Sequence, residues 1–94
     1  MALNKYVIER DIPEVGSMER AQLAEAAATS NKALAQLAPD IQWVESYVAG
    51  DKTFCVYLAK DEATIMKHAE ISGFLATKIT PVRKTIDPTT EKDA

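Results

Sequence analysis

The chain has 94 residues, 47% of them hydrophobic and 27% charged, the composition of one globular domain with no length for a second core. Its formal net charge of −3 at pH 7 argues against a nucleic-acid partner, which would need a clustered basic surface. Cys55 is the only cysteine, so an intrachain disulfide is excluded and a reducing compartment is favoured.

The start, "MALNKYVIERD", has no apolar stretch of signal-peptide type, and no run approaches the ~20 apolar residues of a membrane span. The expectation is a cytoplasmic protein without membrane contact. Residues 4–11 are short and rich in β-favouring side chains, and read as a first strand. Pro13 and Gly16 mark the loop that follows. Ser17 stands as a candidate N-cap before a long alanine-rich segment, with Glu19 suited to the positive end of a helix. Leu23, Ala27, Ser30, Leu34 and Leu37 recur at three- and four-residue steps, the stripe of one amphipathic helix. Pro39 follows its end.

Residues 41–49 and 52–60 read as a hairpin around Gly50-Asp51. That turn pairs Ala49 with Lys52, Tyr47 with Phe54, Glu45 with Val56 and Trp43 with Leu58. One face then carries Trp43, Glu45, Tyr47, Phe54, Val56 and Leu58; the other carries Val44, Ser46, Val48, Thr53, Cys55 and Tyr57. Asp61 is a candidate N-cap for a second helix, with Ile65, Ala69 and Ser72 as its buried stripe, Met66 beside it and Gly73 as its stop. Residues 78–86 read as a last strand, which Pro81 confines to a sheet edge or a bulge. The division is one domain over 1–88 and a polar tail over 89–94.

The order βαββαβ is the ferredoxin-like α+β pattern. It places a four-stranded antiparallel sheet under two helices on one face, because βαβ crossovers share one hand. Nothing in the chain remains to cover the other face. Trp43, Tyr47 and Phe54 are assigned to that face, where three such rings present roughly 450–750 Å². A monomer rarely exposes more than about 300–600 Å² in one apolar patch. The expectation is a two-fold homodimer packed sheet to sheet, with these aromatics lining the space between the sheets.

Glu45 lies between two aromatics in that arrangement, and a carboxylate so placed must be paired, protonated or liganded. Lys5 or Arg10 of either chain are candidate ion-pair partners; a ligand- or proton-handling role is the alternative. Glu9 sits on the first strand, about 10 Å from Glu45 across an intervening strand. His68, the only histidine, falls at the margin of the second helix's stripe, where a structural side chain is the common outcome. One His and one Cys cannot build a closed zinc site in one chain. Cys55 packs under a helix. There is no Gly-rich phosphate loop and no nucleophile with an evident base, so no catalytic residue is assigned.

The segments "YVIERDIP", "APDIQWVESYVAGDKTFCVYLA", "DEATIMKHAEISGF" and "IDPTT" together resemble a family of small bacterial ferredoxin-like proteins that includes a nickel-binding protein. The resemblance runs from Tyr6 to Thr90. It implies a homodimer in which nickel or another divalent metal binds for sequestration, with Glu9, Glu45 and His68 as candidate ligands. Members often carry histidine where this chain has Glu45, which trades a nickel-favouring nitrogen for a hard oxygen; His68 matches the family's "EHA"-like helix segment. Two other readings stand beside it. One is a small-molecule binder or cofactor-free enzyme of the dimeric α+β barrel type, with Glu45 as base. The other is a structural or partner-binding module.

Overall fold

A computed structural model describes residues 2–93; Met1 of the expected domain and Ala94 of the expected tail lie outside the described residues. The elements are β1 (Asn4–Asp11), α1 (Arg20–Leu37), β2 (Ile41–Val48), β3 (Lys52–Ala59), α2 (Glu62–Ser72) and β4 (Lys78–Pro81), with short 3-10 turns at Val15–Ser17 and Pro88–Lys92. The strands run in the order β2-β3-β1-β4, each antiparallel to its neighbour. This is the ferredoxin-like α+β arrangement expected from the element order.

Strict alternation in β1 and β3 builds the core. Tyr6, Ile8 and Arg10 of β1, and Thr53, Cys55, Tyr57 and Ala59 of β3, are buried, while the residues between them are half-buried or exposed. Ile65 of α2 joins Tyr6, Ile8, Ile41, Cys55, Tyr57 and Ala59, and Leu34 and Leu37 of α1 pack against the same cluster. Both helices therefore lie on the face that carries Cys55 and Tyr57.

The start of α1 differs from the expectation. Ser17 belongs to the preceding 3-10 turn, where its hydroxyl donates to the Glu14 carbonyl. The N-cap is Glu19, and Gln22 Oε1 accepts from the Glu19 N–H. The turn consumes the residues that would have been the helix's first, because Val15 must reach the interior. Asp61 does cap α2, accepting from both the N–H and the hydroxyl of Thr64. Gly73 ends it with φ of +81°, a conformation glycine adopts without strain. The last strand stops at Pro81 rather than running to 86. It is an edge strand, where a residue without an N–H is tolerated.

The hairpin carries the main correction. Tyr47 pairs with Phe54 and Glu45 with Val56, as the turn implies, but Trp43 pairs with Tyr57 rather than Leu58. The register shifts between Trp43 and Glu45, leaving Val44 as the extra residue of a β-bulge. An inserted residue inverts the facing of everything before it. Trp43 therefore turns to the helix side, stacks on Tyr57 with ring centroids 6.4 Å apart, and donates from Nε1 to Ser46 Oγ.

Candidate functional site

The uncovered face of the sheet can be read from the register. Glu45, Val56, Val7 and Thr80 form one row across β2, β3, β1 and β4; Tyr47, Phe54, Glu9 and Lys78 form the next. Lys5 and Leu58 extend the surface at one end, Asp11 and Lys52 at the other. Its centre is apolar, from Val7, Phe54, Val56 and Leu58, and its borders are charged. These four are already half-buried by their neighbours, whereas Tyr47 remains 56% exposed.

Glu9 and Glu45 both belong to this face, with β3 between their strands. Two interstrand spacings of about 4.8 Å keep them roughly 10 Å or more apart. Each already has a partner. Lys52 Nζ lies 3.2 Å from Glu9 Oε1 and 3.7 Å from Asp11 Oδ1. The hydrogen bond to Glu9, then the Asp11 and Glu9 charges, raise the Lys52 pKa above its ordinary value. Tyr47 Oη donates to Glu45 Oε2, and that bond followed by the Glu45 charge raises the Tyr47 pKa. Glu45 is thus held by its own strand neighbour. Arg10, an expected ion-pair partner for it, lies on the opposite face because β1 alternates and Arg10 shares the parity of Ile8.

His68 is also on the far side of the sheet. It is 1% exposed, wedged between α1 and β3, with Nε2 3.1 Å from Ser30 Oγ and its ring 5.3 Å from that of Tyr57. Burial, then the Arg10 charge, hold its pKa below the usual histidine value. The structure therefore brings Glu9 and Glu45 to one surface and does not bring His68 to it. Trp43 likewise leaves the open face, on which Tyr47 and Phe54 stand. Among the described residues, no three His, Cys, Asp or Glu side chains converge where they could hold a metal ion.

His68 instead belongs to an interior polar cluster. Ser30 Oγ lies 3.5 Å from Tyr57 Oη. The guanidinium carbon of Arg10 sits 5.8 Å from the Tyr57 ring centroid, and Arg10 Nε donates to the Phe74 carbonyl at 3.1 Å. Burial raises the Tyr57 pKa, partly offset by Ser30 and Arg10. Sequence reasoning did not assemble these four residues. The available signal was parity: Arg10 and Tyr57 share the face of Ile8 and Cys55, beneath the helix stripe that contains Ser30.

The topology and the open, charge-bordered sheet define a ferredoxin-like α+β protein. The chain belongs to the family described as nickel responsive protein SCO4226-like, matched over residues 6–82. Its fold is similar to the crystal structure of SCO4226 from Streptomyces coelicolor A3(2), with a TM-score of 0.74 at 12% identity, over 87% of this chain and 99% of that one. No curated protein matches it, and no helix among the described residues is long and apolar enough to cross a membrane.

Proposed function

We propose that this chain is a divalent-metal-binding protein that acts as a homodimer through the open sheet face, with nickel the first ion to test. One observation carries the reading: a member of a nickel-responsive family sets the carboxylates Glu9 and Glu45 on an uncovered sheet face with an apolar centre and a charged border. Two copies related by a two-fold axis bring four such carboxylates to the space between the sheets. Their oxygens, with water, suit a weakly held octahedral ion better than a closed tetrahedral one. His68 is absent from the proposed donor set, since the sheet itself separates it from that space.

The same face supplies the reason to dimerise. Tyr47, 56% exposed, and the half-buried Phe54 put aromatic surface on it, and Val7, Val56 and Leu58 extend it. Lys5, Lys52 and Lys78 alternate with the acids around the border, so a copy placed face to face meets opposite charges at its rim.

Sedimentation velocity and calorimetric titration test the two halves separately. The expected results are a dimer in dilute buffer and nickel heats that weaken at least about tenfold in the Glu9→Gln, Glu45→Gln double variant, as charged oxygen ligands are lost. Unchanged heats in that variant would remove both carboxylates. A monomer at all concentrations would remove the shared site.

A further inference from the structure

The chain beyond β4 has a strand's composition and no strand beside it. Val82, Thr85 and Ile86 are β-favouring, yet β4 ends at Pro81. Val82 N–H still donates to the Lys5 carbonyl at 2.9 Å. The hydrogen bonds further along join Asp87 to Thr89 and Thr90, at the start of the turn Pro88–Lys92. Residues 83–89 are all exposed. Ile86 is 76% exposed, more than any other large hydrophobic among the described residues. The Cα radius of gyration is 14.3 Å, against about 12 Å for a compact chain of this length. Residues 82–93 are thus an arm that stands off the body.

The opposite edge of the sheet has the complementary vacancy. β2 is an edge strand, with no strand on its outer side among the described residues, and such an edge presents unpaired backbone donors and acceptors. Val44, Tyr47 and Val48 on it are all exposed. The arm of the same chain leaves from β4, on the far edge, three interstrand spacings or about 14 Å away. It would have to cross the open face to pair with its own β2.

Area points to a second copy. Three strands of eight residues and one of four outline a face of roughly 450 Å². A stable interface takes about 800 Å² from each partner. The open face alone falls well short. A two-fold axis between the sheets and along their strands sets the β4 edge of one copy over the β2 edge of the other, about 10 Å apart. Six residues from Val82 can span about 20 Å, enough to bridge that gap.

We propose that the C-terminal arm of each copy docks on the free edge of β2 in a second copy, with Ile86 seated against Val44 and Val48. Backbone bonds to the edge hold the arm and Ile86 anchors it, as when an extended peptide adds to a sheet. The two arms are exchanged and supply the area that the face lacks. This rests on the reading of the open sheet as a dimer interface.

Carbon-13-filtered NOE spectroscopy tests this on dimers mixed from labelled and unlabelled full-length chains, together with sedimentation of Ile86→Asp. The expected result is intermolecular contact between the Ile86 methyls and those of Val44 or Val48. Ile86→Asp is expected to raise the dimer dissociation constant at least about tenfold, the loss of one buried aliphatic anchor, with the circular dichroism of the subunit unchanged. A dimeric wild type whose Ile86 makes no contact with β2 of the other copy overturns the arm and leaves the face reading standing. So does a dissociation constant of Ile86→Asp within about twofold of wild type. A wild type that is monomeric at all concentrations overturns both.

Discussion

Trp43 and Glu45 stand two residues apart on β2 and face opposite sides of the sheet. In an unbroken strand they would share a side. Val44, the extra residue of the bulge, separates an interior aromatic from a surface acid. The strand therefore divides into two parts. Ile41 and Trp43 serve the core, and Glu45 and Tyr47 serve the open face.

Deleting Val44 tests that division. Without it, Trp43 and Glu45 become neighbours in a regular strand and keep their present faces. The deletion variant is expected to fold with the Trp43 emission maximum of the wild type, and to differ in stability by about 1 kcal/mol or less. A red-shifted, water-exposed tryptophan would show that Val44 is not the inserted residue.

Trp43→Ala and Tyr47→Ala should then part company. Trp43 is partly buried against the core and stacked on Tyr57. Its loss is expected to cost about 2–3 kcal/mol in urea unfolding, somewhat under the 3–5 kcal/mol of a fully buried aromatic. Tyr47 projects from the open face. Its replacement should leave the unfolding of an isolated subunit unchanged and weaken only the association of two copies, read by sedimentation. Equal effects of the two on chain stability would contradict the assigned faces.

Much of this fold was legible in the sequence because each element carried a local signal. β1 was delimited at residues 4–11 by its composition and the following Pro13, α2 by Asp61 and Gly73, and the strand order by the βαββαβ pattern. The bulge was not legible, since nothing in "QWVESYV" distinguishes an inserted valine from a paired one. Pairing depends on what Tyr57 stacks against. The candidate site suffered from the same cause. Glu9 and Glu45 kept the expected face because their register is anchored by the turn and by β1. Trp43 lay beyond the inserted residue and changed sides. Arg10 was a candidate ion-pair partner for Glu45, although its parity with Ile8 already placed it on the opposite, buried face. His68 was placed one helical step from Ile65 and Ser72, but burial to 1% also needs α1 above it, which is tertiary information.

Gly16 and Gly50 give a paired test of the loop packing at the hairpin end. A Cβ on Gly16 would lie 2.5 Å from the Ala49 carbonyl oxygen and 2.9 Å from the Gly50 Cα. These are backbone atoms held by the Gly16 N–H to Gly50 carbonyl bond of 2.8 Å, so they cannot yield as a side chain would. Gly16→Ala is expected to cost about 1–3 kcal/mol, the range of overpacking. A Cβ on Gly50 meets nothing within 4 Å, and Gly50→Ala should change stability by no more than about 0.5 kcal/mol. Urea midpoints of the two variants check both.

His68 gives the chain a pH dependence of definite sign. Burial and the Arg10 charge depress its folded-state pKa, so below the ordinary histidine value of about 6.5 the unfolded chain binds more protons than the folded one. Stability then rises with pH through that window. The contribution is complete above pH ~6.5 and is lost as pH falls towards and through the folded value. Ser30, Tyr57 and Arg10 surround the ring, and none is a carboxylate that could accompany the proton inward. One proton limits the slope to about 1.4 kcal/mol per pH unit. Urea unfolding of wild type and His68→Gln from pH 8 downward isolates the effect from the surface carboxylates, which both chains share. The difference between the two is expected to be constant above pH ~6.5 and to shift against the wild type below it. A pH-independent difference would mean that the ring takes up its proton as readily folded as unfolded, and that Arg10 and the buried setting do not oppose its charge.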